Sequence, residues 1–187
     1  LLPDRAIALR QRNGQTWQPR NSDNLEHGDV ALIDALARSY NLATVHLGLD
    51  VGVQKVERLL EALVPGVDVS PHPSLLLGAT EMTPLQVAQA YQYLAADGHQ
   101  LPLSSVTAVI DRNGRTISRY RAPQRAGELV EAARLVSFAM QEGSRTGTGA
   151  ALIGLGLGDL DVAGKTGTSD DLRDSWYAGF TGGHLAV

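Results

Sequence analysis

Val162-Ala163-Gly164-Lys165-Thr166-Gly167-Thr168-Ser169 is the stretch whose reading decides this chain. A short apolar run ends in a lysine. Two threonine hydroxyls then flank a glycine ahead of an acidic loop, Asp170-Asp171. The ammonium supplies charge, the hydroxyls supply directed hydrogen bonds, and Gly167 lets another chain lie close to the backbone. Together they make a compact receptor for a carboxylate. Of the 16 Lys and Arg residues only Lys55 and Lys165 are lysines. A lone lysine where arginine is the rule marks a place for a compact, titratable ammonium.

Gly164-Lys165-Thr166 also imitates the end of a phosphate-binding loop, but the register excludes it. That loop needs a glycine at position 159, which is Asp159, and the nearest glycine is Gly158. It must also open a helix whose N-terminus faces the anion. Beyond Thr166 stand Gly167, Thr168, Ser169 and two aspartates, with no apolar period. A nucleotide-hydrolysing function is set aside on both grounds.

The partner of the lysine motif lies upstream, at Ser39-Tyr40-Asn41, between two apolar-periodic segments. By themselves these residues also read as a helix end, with Asn41 in a left-handed cap and Ser39 exposed. A Ser-x-Asn element well before Lys-Thr-Gly is, however, the order found with Ser-x-x-Lys in penicillin-binding proteins and class A β-lactamases. Longer stretches resemble the class A penicillin-binding proteins. Leu75 to Tyr91 resembles the segment they carry between the two motifs, and Arg145-Thr146-Gly147-Thr148-Gly149 resembles their glycine-threonine turn. Asp174-Ser175-Trp176-Tyr177-Ala178-Gly179 resembles their next strand. The stretches 8–19 and 38–48 are most similar to the 1B-type, bifunctional members of Gram-negative bacteria.

One motif is absent. Neither lysine has a serine three positions before it, since Val162 and Gly52 stand there. The family places its nucleophilic serine in that motif, upstream of Ser-x-Asn. The chain therefore reads as residues 1–187 of one transpeptidase domain, incomplete at both ends, with the nucleophile, a glycan-polymerising domain and a membrane anchor elsewhere.

Composition fits an ordinary globular piece. With 187 residues and 43% hydrophobic content the chain can bury a sizeable core. A net charge of −4 argues against nucleic acid as a partner. With no cysteine there are no disulfides, no thiol catalysis and no thiolate metal site. The five histidines, at 27, 46, 72, 99 and 184, lack metal-ligand spacing, so no metal and no cofactor is expected. No uncharged apolar run approaches membrane-spanning length, and the first residues lack a basic-then-apolar signal pattern.

Periodicity places the motifs. Val30, Ile33, Leu36 and Ala37 line a helical face ending at Ser39-Tyr40-Asn41, and a second apolar run, 42–49, stops at Gly52. Val53, Val56, Leu59, Leu60 and Leu63 predict a third helix, closed by Pro65-Gly66. Thr83-Pro84-Leu85-Gln86 is a capping box opening a helix to Asp97-Gly98, with Tyr91 and Leu94 in its core stripe. Asn113-Gly114 predicts a hairpin between 105–110 and 116–120. A long helix spans Leu129 to Ala139, and the glycine-rich stretch 143–158 is expected to be a flexible connection. Gly147-x-Gly149 within it is no dinucleotide fingerprint, because Leu152 stands where the third glycine belongs. Strands around 162–168 and 175–180 close the chain. Helices early and strands late predict an α+β domain with helices packed on an antiparallel sheet, which the resemblance extends to a penicillin-binding-protein/β-lactamase-like transpeptidase fold.

The resemblance also implies the chemistry: acyl transfer from D-alanyl-D-alanine peptides to cross-link cell-wall strands. The serine lying outside this chain attacks the penultimate carbonyl, and an amine of a neighbouring peptide resolves the acyl-enzyme. Ser39 would relay a proton to the leaving nitrogen, and Asn41 would bind the substrate amide and orient the lysine of Ser-x-x-Lys. Lys165 would hold Ser39 and add positive potential. Thr166 and Thr168, flanking Gly167, would bind the carboxylate, with the Thr168 amide as one oxyanion donor. Two lysines facing one site would lower each other's pKa. Implied partners are peptidoglycan stem peptides, the lipid-linked precursor, other cell-wall synthesis proteins and, as inhibitors, β-lactams, on the periplasmic side of the inner membrane. A non-catalytic descendant that binds muropeptide or a partner protein is the alternative.

Overall fold

The computed structural model describes residues 1–11, 14–121, 127, 129–169, 173–182 and, for the backbone, 184–186. Residues 12 and 13 and the acidic loop Asp170-Asp171 lie outside that set. The chain opens with short pairings. β1 (Leu2–Asp4) runs antiparallel to β4 (Gly28–Val30), and β2 (Leu9–Arg10) to β3 (Thr16–Trp17). Helices α1 (Leu32–Ala37), α2 (Asn41–Val51) and α3 (Val53–Leu63) come next, then a 3-10 turn at Pro73–Leu77 and α4 (Pro84–Ala95). The hairpin β5 (Ala108–Ile110) and β6 (Thr116–Arg119) leads to α5 (Val130–Thr146). A short π-helical turn at Ile153–Leu157 precedes β7 (Ala163–Thr168), β8 (Ser175–Thr181) and β9 (His184–Ala186).

The last three strands form one antiparallel sheet in the order β7-β8-β9. Against it pack α5, on β7, and α4, on β8, while α1 lies on α5 and α2 on β1. This is the α+β arrangement that the segment order predicts. Ala163 and Ala178 on adjacent strands are buried, as are Ala133 and Met140 of α5 and Ala35 and Ala37 of α1. A separate apolar cluster of Val53, Val69 and Leu75, backed by Leu49, Val56 and Leu60, holds α2, α3 and the 3-10 turn together. Gly48 of α2 is small because a Cβ there would run into Leu76.

Local chemistry sets the boundaries. The Thr83 side chain accepts from Gln86 N–H while the Gln86 side chain accepts from Thr83 N–H, the reciprocal capping box read from the sequence. Tyr91 on that helix belongs to the interior. Burial first, and the nearby Tyr177 second, push its phenol up to about 12.

Two expectations are corrected, on Val30 and on the stretch 143–158. Val30 pairs with Leu2 in β4 and is not on the α1 face, since α1 begins only at Leu32. The hairpin forms where Asn113-Gly114 predicts it, with β5 antiparallel to β6. Asp111 Oδ1 accepts the N–H groups of Asn113 and Arg115, both at 2.9 Å, and only Gly114 takes a left-handed backbone, φ 80°. The stretch 143–158 is no simple flexible connection, because its first four residues finish α5. The alternative reading of Asn41 as a left-handed cap also fails. That conformation falls on Ser39, φ 58°, and Asn41 is the first residue of α2.

Candidate active site

The site is built on a helix corner and an edge strand. After α1 the C-cap is Arg38, and the next two amides turn back: Ser39 N–H donates to Leu36 O at 3.2 Å and Tyr40 N–H to Ala35 O at 2.9 Å. These two bonds are a Schellman termination, and its left-handed position is Ser39, where glycine is usual. The termination turns the chain sharply into α2 and aims Ser39 outward at the corner.

A second segment braces this corner. Thr148 N–H donates to Ala37 O at 3.1 Å. A Cβ built on Gly143 would lie 3.3 Å from Ala37 Cα, and one built on Gly147 would collide with Ala37 O. The glycines are there because the end of α5 and the turn 147–149 press directly on the last residue of α1.

β7 is at the edge of its sheet among the described residues, paired only with β8. Alternation sends Lys165 and Thr166 from opposite faces of the strand. Both nonetheless reach the braced corner. Lys165 Nζ donates to Ser39 Oγ at 2.8 Å and to Thr166 O at 3.1 Å, while Thr166 Oγ1 donates to Thr148 Oγ1 at 2.8 Å. Three contacts thus close a circuit from strand to turn, to helix corner, and back to the strand. Burial holds the Lys165 ammonium below its ordinary pKa of 10.5. This lowering arises within the chain, without the second lysine that the resemblance implies as its cause.

Gly167 and Thr168 continue the strand and are exposed. A Cβ on Gly167 would meet only Trp176 Cβ, at 3.6 Å, so packing inside the chain does not require glycine there. β8 approaches more tightly behind, where Tyr177 lies across Gly164 in the place a Cβ would occupy. Asn41 stands one residue beyond Tyr40 at the start of α2, and its Nδ2 donates to Arg20 O at 2.8 Å. All the residues singled out from the sequence therefore lie on two elements, the α1–α2 corner and β7.

Sequence reasoning misses the supports. Thr148 is visible only as part of a resembling turn. Asp4 and Asn21, which hold the start of α2, carry no motif at all. Two of the histidines make local contacts: His72 accepts from Ser74 N–H at the 3-10 turn, and His46 Nε2 lies 3.2 Å from Arg5 O. Among the described residues no group of three or more His, Cys, Asp or Glu side chains could hold a metal.

Comparison with known proteins bears on the family and the fold. The penicillin binding protein transpeptidase domain family matches residues 6–181. Penicillin-binding protein 1B of Escherichia coli (strain K12) is 40% identical over 189 residues, covering 100% of this chain. The chain spans 22% of that relative's length. Penicillin-binding protein 1A from Haemophilus influenzae superposes with a TM-score of 0.83 at 21% identity, over 96% of this chain and 32% of that one. Penicillin-binding protein A from M. tuberculosis, solved as an imipenem acyl-enzyme complex, superposes with a TM-score of 0.72 at 21% identity, over 90% of this chain and 43% of that one. A corner serine held by a strand lysine, in a chain matched almost from end to end, identifies this protein as a member of the penicillin-binding protein transpeptidase family.

Proposed function

We propose that residues 1–187 are part of one D,D-transpeptidase domain, acting in peptidoglycan cross-linking on the periplasmic side of a bacterial inner membrane. The observation that carries this reading is the 2.8 Å bond from Lys165 Nζ to Ser39 Oγ, joining two motifs 126 residues apart at an open strand edge. In the reaction, a serine of a Ser-x-x-Lys segment outside this chain adds through Oγ to the penultimate carbonyl of a D-alanyl-D-alanine peptide. The C–N bond breaks, and terminal D-alanine leaves with a proton on its nitrogen. Ser39 delivers that proton and takes up in its place the one released from the attacking serine's Oγ, while Lys165, hydrogen-bonded to the Ser39 oxygen, orients the hydroxyl. An amine of a second stem peptide then attacks the acyl-serine and frees it.

Substrate lies along the edge of β7. Thr166 and Thr168 bind its carboxylate by hydroxyl, beside the Lys165 charge. The Thr168 N–H is one oxyanion donor, and Gly167 leaves room for the peptide backbone. Asn41 keeps acceptor capacity on Oδ1 while Nδ2 holds Arg20, which suits it to receive the substrate amide or the motif lysine. β-Lactams enter the same site and acylate the same serine by opening their ring amide. The polymerising domain, the anchor and contacts with the lipid-linked precursor belong to the remainder of the protein.

The test is acylation of the full-length protein by a fluorescent penicillin. The wild type should give a labelled band that survives denaturation, whereas residues 1–187 alone should give none. Lys165→Ala should slow labelling by about 100- to 1000-fold, the cost of one electrostatic donor in such a site. Full-length protein that takes no label would favour the non-catalytic descendant. An alanine variant labelled at the wild-type rate would remove Lys165 from the site.

A further inference from the structure

α2 begins in an unusual way. Its N-cap residue is Tyr40, whose side chain caps nothing. The amides of Leu42 and Ala43, in the first turn, would ordinarily be satisfied by a Ser, Thr, Asp or Asn at that position. Here the caps come from far upstream. Asn21 Oδ1 accepts from Leu42 N–H at 3.2 Å, and Asp4 Oδ1 accepts from Ala43 N–H at 3.0 Å.

Asp4 is fully buried, and its other oxygen is equally committed. Oδ2 accepts from Asn21 Nδ2 at 2.7 Å, from His27 N–H at 3.0 Å and from His27 Nδ1 at 2.6 Å. The His27 ring stacks on Tyr40, with centroids 4.1 Å apart and planes 18° from parallel. Its Nε2 lies 3.1 Å from Asp23 Oδ2. With Arg20 O receiving Asn41 Nδ2, four consecutive residues, Tyr40 to Ala43, are each held by the first 27 residues of the chain.

We propose that Asp4, Asn21 and His27 are positioning residues for the transpeptidase reaction, fixing the Ser39-Tyr40-Asn41 corner so that Ser39 and Asn41 meet the substrate. The inference rests on the function proposed above. A local cap at position 40 would stabilise the helix without burying a carboxylate. Replacing a buried ionic group by simpler packing commonly costs nothing in stability. The remote arrangement does what a local cap would not: it ties the helix start to a separate segment and so sets where the corner stands. Burial alone would raise the Asp4 pKa, but the bonds from His27, Ala43 and Asn21 outweigh it and hold the carboxyl below its ordinary 3.8. The group is therefore an acceptor-only carboxylate matched to four donors, at a helix N-terminus that favours negative charge.

The experiment measures β-lactam acylation of the full-length protein by stopped flow, which separates the rate constant from the fraction of molecules that react. Asp4→Asn places an amide among donors. Asn21→Ala frees Leu42 N–H. His27→Phe keeps a ring on Tyr40 but removes the Nδ1 donor. Each should lower the rate constant about 10- to 100-fold, as displacement of a catalytic group by about 1 Å does. The reacting fraction of folded protein should stay near that of the wild type. Arg5→Ala, which removes the neighbouring exposed pair with Asp29, should stay within about twofold, as surface pairs contribute little. A merely structural role would reduce the reacting fraction and leave the rate constant unchanged, and that result overturns the proposal. Should Asp4→Asn not fold, the Asn21 and His27 variants decide the matter by the same readout. A wild type that is not acylated would instead show that the transpeptidase reading itself is wrong, and the positioning role falls with it.

Discussion

Ser39 holds a backbone conformation that a residue with a Cβ adopts at a cost of about 1 kcal/mol. The two Schellman bonds from Ser39 and Tyr40 over-determine it, and the strain keeps the hydroxyl at the corner, where Lys165 reaches it. Ser39→Gly and Ser39→Ala both remove that hydroxyl, but only glycine relieves the backbone. Thermal unfolding should therefore find the glycine variant more stable than the alanine variant by about 1 kcal/mol, and equal stabilities would show that the corner is unstrained. Lys165 carries the second prediction. Its pKa is lowered by burial, so between that value and the ordinary 10.5 the unfolded chain binds more protons than the folded one. Stability should rise with pH across that window, and the ionised fraction needed for the site should fall. A carbon-13 titration of the Lys165 side chain should have its midpoint below 10.5, and a midpoint at or above it would contradict the burial seen here. Both residue types are legible in the sequence as chemistry. Which residue takes the left-handed backbone is not, because Ser39 and Asn41 suit a helix end almost equally until the last hydrogen-bonded turn of α1 is located.

At the scale of elements, the site depends on how an edge strand is brought to a helix corner. The turn 147–149 does this, through Thr148 N–H to Ala37 O and Thr166 Oγ1 to Thr148 Oγ1. Gly147→Ala would drive a Cβ into Ala37 O and push the turn away from α1. The variant should lose about 1–3 kcal/mol in denaturant unfolding, the usual cost of overpacking, and acylation by penicillin should slow with it. Unchanged stability would mean that the turn yields freely and does not brace the corner. Periodicity reveals α3 and α4 well, because an apolar stripe and a capping box are local signals. The pairings β1–β4 and β2–β3 give no such signal, since two or three residues cannot show alternation. The glycines of 143–149 look like slack for a related reason. Gly143 and Gly147 are there for the close approach of α5 to α1, a contact between segments about 100 residues apart.

Across the whole molecule, two motifs far apart in the chain meet at the Lys165–Ser39 bond, and Asp4 and Asn21 from the early part of the chain cap the helix that starts there. The order of Ser-x-Asn and Lys-Thr-Gly reveals the family and the fold class, whereas Asp4 and Asn21 stay hidden because their partners are backbone amides, which no sequence pattern marks. The central claim is that Ser39 and Lys165 act as a unit, and a double-mutant cycle on the penicillin acylation rate of the full-length protein tests it most directly. The variants are Ser39→Ala, Lys165→Ala and the pair together. Residues that act as a unit are strongly non-additive. The double variant should therefore react about as slowly as the slower single variant, whereas a rate reduced by the product of the two separate losses would show that the serine and the lysine act independently.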